Sequence, residues 1–275
     1  MGLDARRGRL IQHIGNLDDD RLEPFRDVRD RDLKGRHDLF LGEGALTVDR
    51  MLALDGVVQA VLVAERWAAH YEAASADVDV YVVSQKLMET VAGFPFHRGV
   101  LAAGRRAPFE SRALADLIPP PAAPATLLLV DDVSNVDNIG LLFRNAAAMA
   151  CDGVILSPHC SDPLYRKSLR VSLGHVLSVP WCRTSNWATA LDELRESSVT
   201  LVAAAIQPKA VRLDDLEPPR RVGVIVGHEY DGVSEATRRM ADHWVRIPMA
   251  PGVDSLNVAA ASAVVLHHLS RGRRA

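Results

Sequence analysis

Val222-Gly223-Val224-Ile225-Val226-Gly227-His228-Glu229-Tyr230-Asp231-Gly232-Val233-Ser234 begins as an unbroken apolar run, stops at a glycine and opens into a polar loop. An apolar run without alternation suits a strand covered on both faces, as in a parallel sheet. Such sheets bind ligands beyond the carboxyl ends of their strands. Gly227 leaves room for close backbone approach, Glu229 follows two residues on, and Gly232-Val233-Ser234 supplies a turn and a helix N-cap. His228-Glu229 opens like a zinc-protease helix motif. The second histidine of that motif would stand at position 232, which is Gly232, so the metal reading fails.

Working outward, the pattern repeats. Apolar runs at 126–130, 153–156, 175–179, 200–204 and 244–247 join the run at 222–226. Amphipathic stretches at 139–150, 163–173, 187–197, 234–241 and 258–270 alternate with them. Alternating βα units predict an α/β fold with a parallel sheet. Upstream, strands at 39–41, 57–63 and 78–83 interleave with helices at 45–54, 67–74 and 85–91, a small α/β domain that ends near 103. Pro108, Pro119, Pro120, Pro121 and Pro124 mark 104–125 as an extended linker, because proline fixes φ and cannot donate to a ladder. The predicted organisation is therefore an N-terminal arm at 1–38, a small domain at 39–103, the linker at 104–125 and a larger domain at 126–275. The arm mixes both charges and reads as a helix pair or as a solvated segment.

Composition bounds the function. With 275 residues, 48% hydrophobic and 24% charged, the chain suits two compact domains and not a disordered segment. No apolar run reaches the length of a membrane span, and the N-terminal arginines precede no apolar core, so neither a membrane span nor a secretory signal is expected. Cys151, Cys160 and Cys182 form no CxxC pair, which favours reduced thiols and a cytoplasmic protein. The net charge of −3 neither requires nor excludes a local nucleic-acid patch.

Two further segments gather polar residues at strand ends. In Asp131-Asp132-Val133-Ser134-Asn135-Val136-Asp137-Asn138-Ile139-Gly140, Asn138 reads either as a helix cap or as a site residue. Arg144 follows among Leu141, Leu142, Phe143 and Ala146. A guanidinium buried there needs an anionic partner, either a structural ion pair or a ligand. In Ile247-Pro248-Met249-Ala250-Pro251-Gly252-Val253-Asp254-Ser255-Leu256-Asn257-Val258, Ser255 and Asn257 each read as a helix cap or as site residues. No GxGxxG or GxxxxGK[ST] stands at a strand-to-helix junction, so nucleotide-dependent dehydrogenases and NTPases are disfavoured.

Together these segments resemble the SpoU branch of the SPOUT superfamily, the tRNA and rRNA 2′-O-ribose methyltransferases. Asn138-Ile139-Gly140-Leu141-Leu142-Phe143-Arg144-Asn145-Ala146 matches the Asn-x-Gly-x-x-x-Arg-x-Ala motif. Gly227-His228-Glu229 matches Gly-x-Glu, and Ile247-Pro248-Met249 with Ser255-Leu256-Asn257-Val258 matches the third motif. Arg170-Val171-Ser172-Leu173-Gly174 is also similar to the family. Residues 30–104, with Leu41-Gly42-Glu43-Gly44, resemble its L30e-like accessory RNA-binding domain less specifically. Two positions depart: Tyr230 stands where the family usually has glycine, and Ala150 where a glycine commonly follows the first-motif helix.

The resemblance implies a C-terminal trefoil-knot domain with a parallel sheet, S-adenosylmethionine as cofactor, a tRNA or rRNA substrate, a homodimer and no metal. It implies Gly227, Ile247, Met249 and Leu256 in the cofactor pocket. Arg144 would activate or orient the ribose hydroxyl, with Asn138, Glu229, Ser255 and Asn257 arranging the site around it. RNA phosphates would be held by basic residues such as Arg105, Arg106, Arg166, Lys167, Arg170, Arg271, Arg273 and Arg274. The rival readings are a catalytically silent RNA-binding factor on the same scaffold and a methyltransferase acting on a base nitrogen.

Overall fold

A computed structural model describes residues 11–26, 34, 37–93, 96–204, 207, 209–228 and 231–271. It divides into two compact units, Met1–Pro108 with Leu164–Gly174, and Phe109–Pro163 with His175–Ala275.

In the first unit the strands are β1 (Ile11–His13), β2 (Leu39–Glu43), β3 (Val58–Ala64), β4 (Asp79–Val83) and β5 (Val100–Arg105). They form a mixed sheet in the order β1-β4-β3-β5-β2. β1 and β3 pair parallel to β4, while β5 runs antiparallel to β2 and β3. Helices Ala45–Leu52 and Gln85–Ala92 accompany this sheet. Ser84 caps the second, and Gly93 ends it in the left-handed conformation.

Three sequence expectations change here. The described part of the N-terminal arm is not a solvated segment: β1 adds an edge strand, and a 3-10 helix at Asp20–Phe25 buries Leu22 and Phe25. So few apolar residues among many charges gave no periodicity to read. The small domain continues past 103, because β5 runs to Arg105 and pairs with β2 and β3. The linker is not wholly extended, since it holds a helical turn at Ala107–Glu110 and a 3-10 turn at Leu114–Leu117. Its proline run is pinned, with the Arg221 guanidinium donating to the carbonyls of Pro119, Pro120 and Ala123 at 2.7–3.1 Å.

In the second unit the strands are β6 (Ala125–Asp131), β7 (Gly153–Leu156), β8 (Trp181–Arg183), β9 (Thr200–Ala204), β10 (Val211–Arg212), β11 (Arg221–Gly227) and β12 (His243–Arg246). Their order is β10-β12-β9-β11-β6-β7-β8, and every pairing is parallel. The central strands β6 and β11 are buried almost end to end, as their unbroken apolar runs predict. One expected strand fails: 175–179 is a 3-10 turn at His175–Leu177, and the strand begins only at Trp181. Val176, Leu177 and Val179 are buried all the same, so burial without a ladder produced the same apolar signal. No described helix is long and apolar enough to cross a membrane.

Candidate active site

The carboxyl ends of β6, β11 and β12 carry the three segments singled out in the sequence. β11 ends at Gly227, and the chain turns back at once. His228 and Gly232 exchange backbone hydrogen bonds of 2.8 and 3.0 Å, closing a tight loop. A Cβ on residue 227 would run into the Gly232 carbonyl and lie 2.7 Å from the Val233 nitrogen. The glycine is thus required by the loop folding back on its own strand, which no rotamer could relieve.

Beneath this loop Asp131, the last residue of β6, is 1% exposed. Its Oδ2 accepts from the Ser234 backbone N–H and the Thr237 hydroxyl, both at 2.7 Å. Among the described residues its Oδ1 has no partner. Burial pushes the Asp131 carboxyl up, against the opposing pull of the Thr237 and Ser234 hydrogen bonds. Ser234 caps the helix Glu235–Met240 as expected, so Asp131 ties the loop of β11 and the helix after it to β6.

The third segment closes the site. Asn257 caps the helix Val258–Leu269, its Oδ1 accepting from Ala259 N–H at 2.9 Å. Its Nδ2 donates to Asn138 Oδ1 at 3.0 Å. Capping and the tie to Asn138 therefore fall to one side chain, because a carboxamide both accepts and donates. Asn138 is not a cap. That place belongs to Asn135, whose Oδ1 takes the Asp137 and Asn138 N–H groups, leaving the buried Asn138 side chain for Asn257. Asn145, a position the first motif leaves open, joins the same two helices by donating to Ala259 O at 2.7 Å and Ser262 Oγ at 2.9 Å.

These turns enclose a cavity of about 630 Å³, within the usual range for a small-molecule site. Gly227, Ile247, Met249, Ser255, Leu256 and Asn257 all line it. Val226, Val245 and Val258 add apolar wall, and Gln207, His228 and Arg238 add polar groups. The last three were not predicted as site residues. His228 was weighed only as a metal ligand, yet its Nδ1 lies 3.1 Å from Asp231 Oδ2 and its Nε2 3.4 Å from Ser134 Oγ. Gln207 and Arg238 sit in no motif and carry no local signal. Glu229 and Tyr230 lie outside the described residues.

Arg144 corrects an expectation. Its side chain is exposed and not buried among its apolar neighbours, and it is not a lining residue of the cavity. At 3.6 residues per turn it points about 120° away from Asn138 on the same helix. The apolar neighbours face inward, and the guanidinium takes the outer face.

Residues 125–267 match the family model of the SpoU rRNA methylases. The chain belongs to that family. An uncharacterized tRNA/rRNA methyltransferase of Mycobacterium tuberculosis is 37% identical to this SpoU chain over 270 residues, 95% of the chain and 92% of the relative. The 23S rRNA (guanosine-2′-O-)-methyltransferase RlmB of Acinetobacter baylyi is 30% identical over 197 residues, 71% of the chain and 79% of RlmB. The AdoMet-bound rRNA methyltransferase of Sinorhizobium meliloti shares the fold, with a TM-score of 0.78 at 22% identity over 95% of this chain and 98% of that one. The resemblance read from the motifs thus holds at the level of the family.

Proposed function

We propose that this SpoU chain transfers a methyl group from S-adenosylmethionine to a ribose 2′-hydroxyl of tRNA or rRNA. The observation that carries the reading is the 630 Å³ cavity into which Gly227 of the second motif and Ile247, Ser255 and Asn257 of the third converge. The residues fit the cofactor. Ile247, Met249 and Leu256 offer apolar surface to an adenine ring. The backbone at Gly227 comes close because no Cβ intervenes, and Gln207, Ser255 and Asn257 offer polar atoms to the ribose and amino-acid groups. S-adenosylmethionine supplies an electrophilic methyl group on a sulfonium.

The chain's own residues have two further tasks. They must fix the ribose oxygen at attacking distance, and they must assist loss of its proton. Asn138 and Asn257 lock the starts of their helices together, which holds the segment 255–257 against the cavity. Arg144 is assigned to the hydroxyl or its adjacent phosphate, where a permanent cation stabilises developing negative charge. Its outward direction suits a homodimer in which this face meets a second copy. Val264, 44% exposed on the helix Val258–Leu269, supports that reading, since that helix packs beside the one bearing Arg144. The knot belongs to the same proposal: residues of the segment after β12 share a cavity with the loop after β11.

The test is a methyl-transfer assay with radiolabelled S-adenosylmethionine and bulk tRNA or rRNA, followed by nuclease digestion. Label on a nuclease-resistant 2′-O-methyl dinucleotide supports the proposal. Label on a base overturns the ribose assignment, and no label with either RNA overturns the enzyme reading.

A further inference from the structure

The 630 Å³ cavity has one cationic side chain to which the methyl-transfer reading gives no task. Among the described residues that line it, Arg238 is the only arginine or lysine and Asp231 the only carboxylate. The Asp231 side chain is 90% exposed, and its Oδ2 lies 3.1 Å from His228 Nδ1; it makes no ion pair with Arg238. Arg238 belongs to the helix Glu235–Met240. Its Nε donates to Val233 O at 3.2 Å, and among the described residues its terminal nitrogens have no hydrogen bond or ion pair.

Comparable arginines are paired. Arg239, next on the same helix, has its Nε 3.4 Å from Glu235 Oε1. In the first unit, Arg98 and Arg170 line a second cavity, of about 360 Å³, and both face Glu43, at 3.4 and 3.8 Å. Arg238 is also held from below. Thr237, its neighbour in the chain, is fully buried; its hydroxyl donates to Asp131 Oδ2 at 2.7 Å and accepts from the Trp187 indole N–H at 3.0 Å. With the backbone fixed there and Nε anchored on Val233 O, the guanidinium is partly ordered before any ligand arrives. Less entropy is then lost when an anion binds.

S-adenosylmethionine carries a single anionic group, its α-carboxylate, beside a cationic ammonium and a cationic sulfonium. We propose that the terminal nitrogens of Arg238 bind that carboxylate, so that the amino-acid end of the cofactor lies toward the helix Glu235–Met240. The inference rests on the reading of this cavity as the S-adenosylmethionine site. A planar guanidinium matches a carboxylate with two parallel N–H donors. The same charge repels a sulfonium or an ammonium, so a cofactor bound the other way round would lose the pair and meet a like charge. Apolar walls such as Ile247, Met249 and Leu256 accept a ligand in more than one orientation. One fixed charge selects between them. Arg238 stands in none of the three motifs, so this contact is a property of the chain beyond its motifs.

The experiment is calorimetric titration of the full chain with two probes, S-adenosylmethionine and decarboxylated S-adenosylmethionine, which differ only in the carboxylate. It compares the parent with Arg238→Gln and Arg238→Lys, and thermal melting of each variant confirms that it is folded. The parent should prefer the intact cofactor. Arg238→Gln should weaken S-adenosylmethionine binding about five- to tenfold, the scale of one bidentate ion pair at a half-open rim. Its affinity for the decarboxylated probe should stay within about twofold of the parent's, so the preference collapses. Arg238→Lys should restore part of the preference, because it keeps the charge and loses the fork. Equal weakening of both probes in Arg238→Gln would overturn the inference, since a distorted loop acts on both alike. A parental preference in Arg238→Gln would overturn it too. In both of those cases the parent still binds S-adenosylmethionine, and the cofactor reading stands. A parent that binds neither probe overturns the cofactor reading of the cavity and this inference with it.

Discussion

The two cavities are built on opposite principles. In the second unit, backbone turns make the walls: a strand that folds back at Gly227, a loop tied to Asp131 and a helix start fixed by Asn257 and Asn138. In the first unit, charge makes the walls: three guanidiniums spread around Glu43. A shape-built cavity discriminates by fit and is sensitive to single atoms. A charge-built cavity is tolerant of detail and sensitive to salt.

The sharpest way to break this contrast is Gly227→Ala. The added methyl meets backbone and not a yielding side chain, at a cost of about 2–3 kcal/mol. S-adenosylmethionine affinity by calorimetry should fall about 100-fold, while affinity for a single-stranded RNA oligonucleotide holds. Similar losses for both ligands would show that cofactor and RNA do not bind independently.

Arg144→Ala tests whether chemistry resides in either cavity. Methyl transfer should drop about 1000-fold, the scale of removing a positioned acid–base or charge-stabilising group, with cofactor affinity retained. Transfer at the parental rate would remove Arg144 from the mechanism. The third test leaves the chain unaltered: raising salt from 50 to 200 mM should weaken RNA binding severalfold, since each phosphate contact releases counterions. The same change should leave the cofactor dissociation constant within about twofold, because apolar side chains and backbone make most of that wall and no row of like charges lines it.

Asn257→Ala should lower the stability of the second unit by about 1 kcal/mol through loss of the cap. The lost tie to Asn138 should weaken cofactor binding as well, read by thermal melting with and without S-adenosylmethionine. The smallest effect concerns Ala150, which stands at φ +52° just after the helix Val136–Ala148. Ala150→Gly should raise stability by about 1 kcal/mol, because a left-handed residue there favours glycine. It should change neither ligand affinity.

Much of the site was legible because its requirements are local. Gly227, Ser255 and Asn257 stand at the ends of apolar runs, where a parallel sheet opens to ligands. Ala150 was flagged as a departure from a glycine, and its positive φ gives that departure a physical meaning. What was misread depended on direction. Arg144 stands among apolar residues along the chain, but on a helix those neighbours face inward and it faces out. Asn138 reads in the sequence as cap or site residue, and direction decides against the cap, because Asn135 already occupies it. Gln207 and Arg238 reach the cavity from elements with no motif, brought there by the stacking of β9, β11 and β12.

The sequence by itself determined the α/β alternation, the all-parallel core strands and the three segments that gather at their carboxyl ends, because hydrophobic period and glycine placement act within a few residues. Only the tertiary structure decided that Gly227 makes way for its own loop, that Asn257 caps its helix while lining the cavity and holding Asn138, and that Glu43 gathers arginines from positions 98, 166 and 170. Those facts join residues up to 127 positions apart, from Glu43 to Arg170. Such contacts leave no period in the chain, because burial and charge pairing are settled by the whole fold and not by neighbours in sequence.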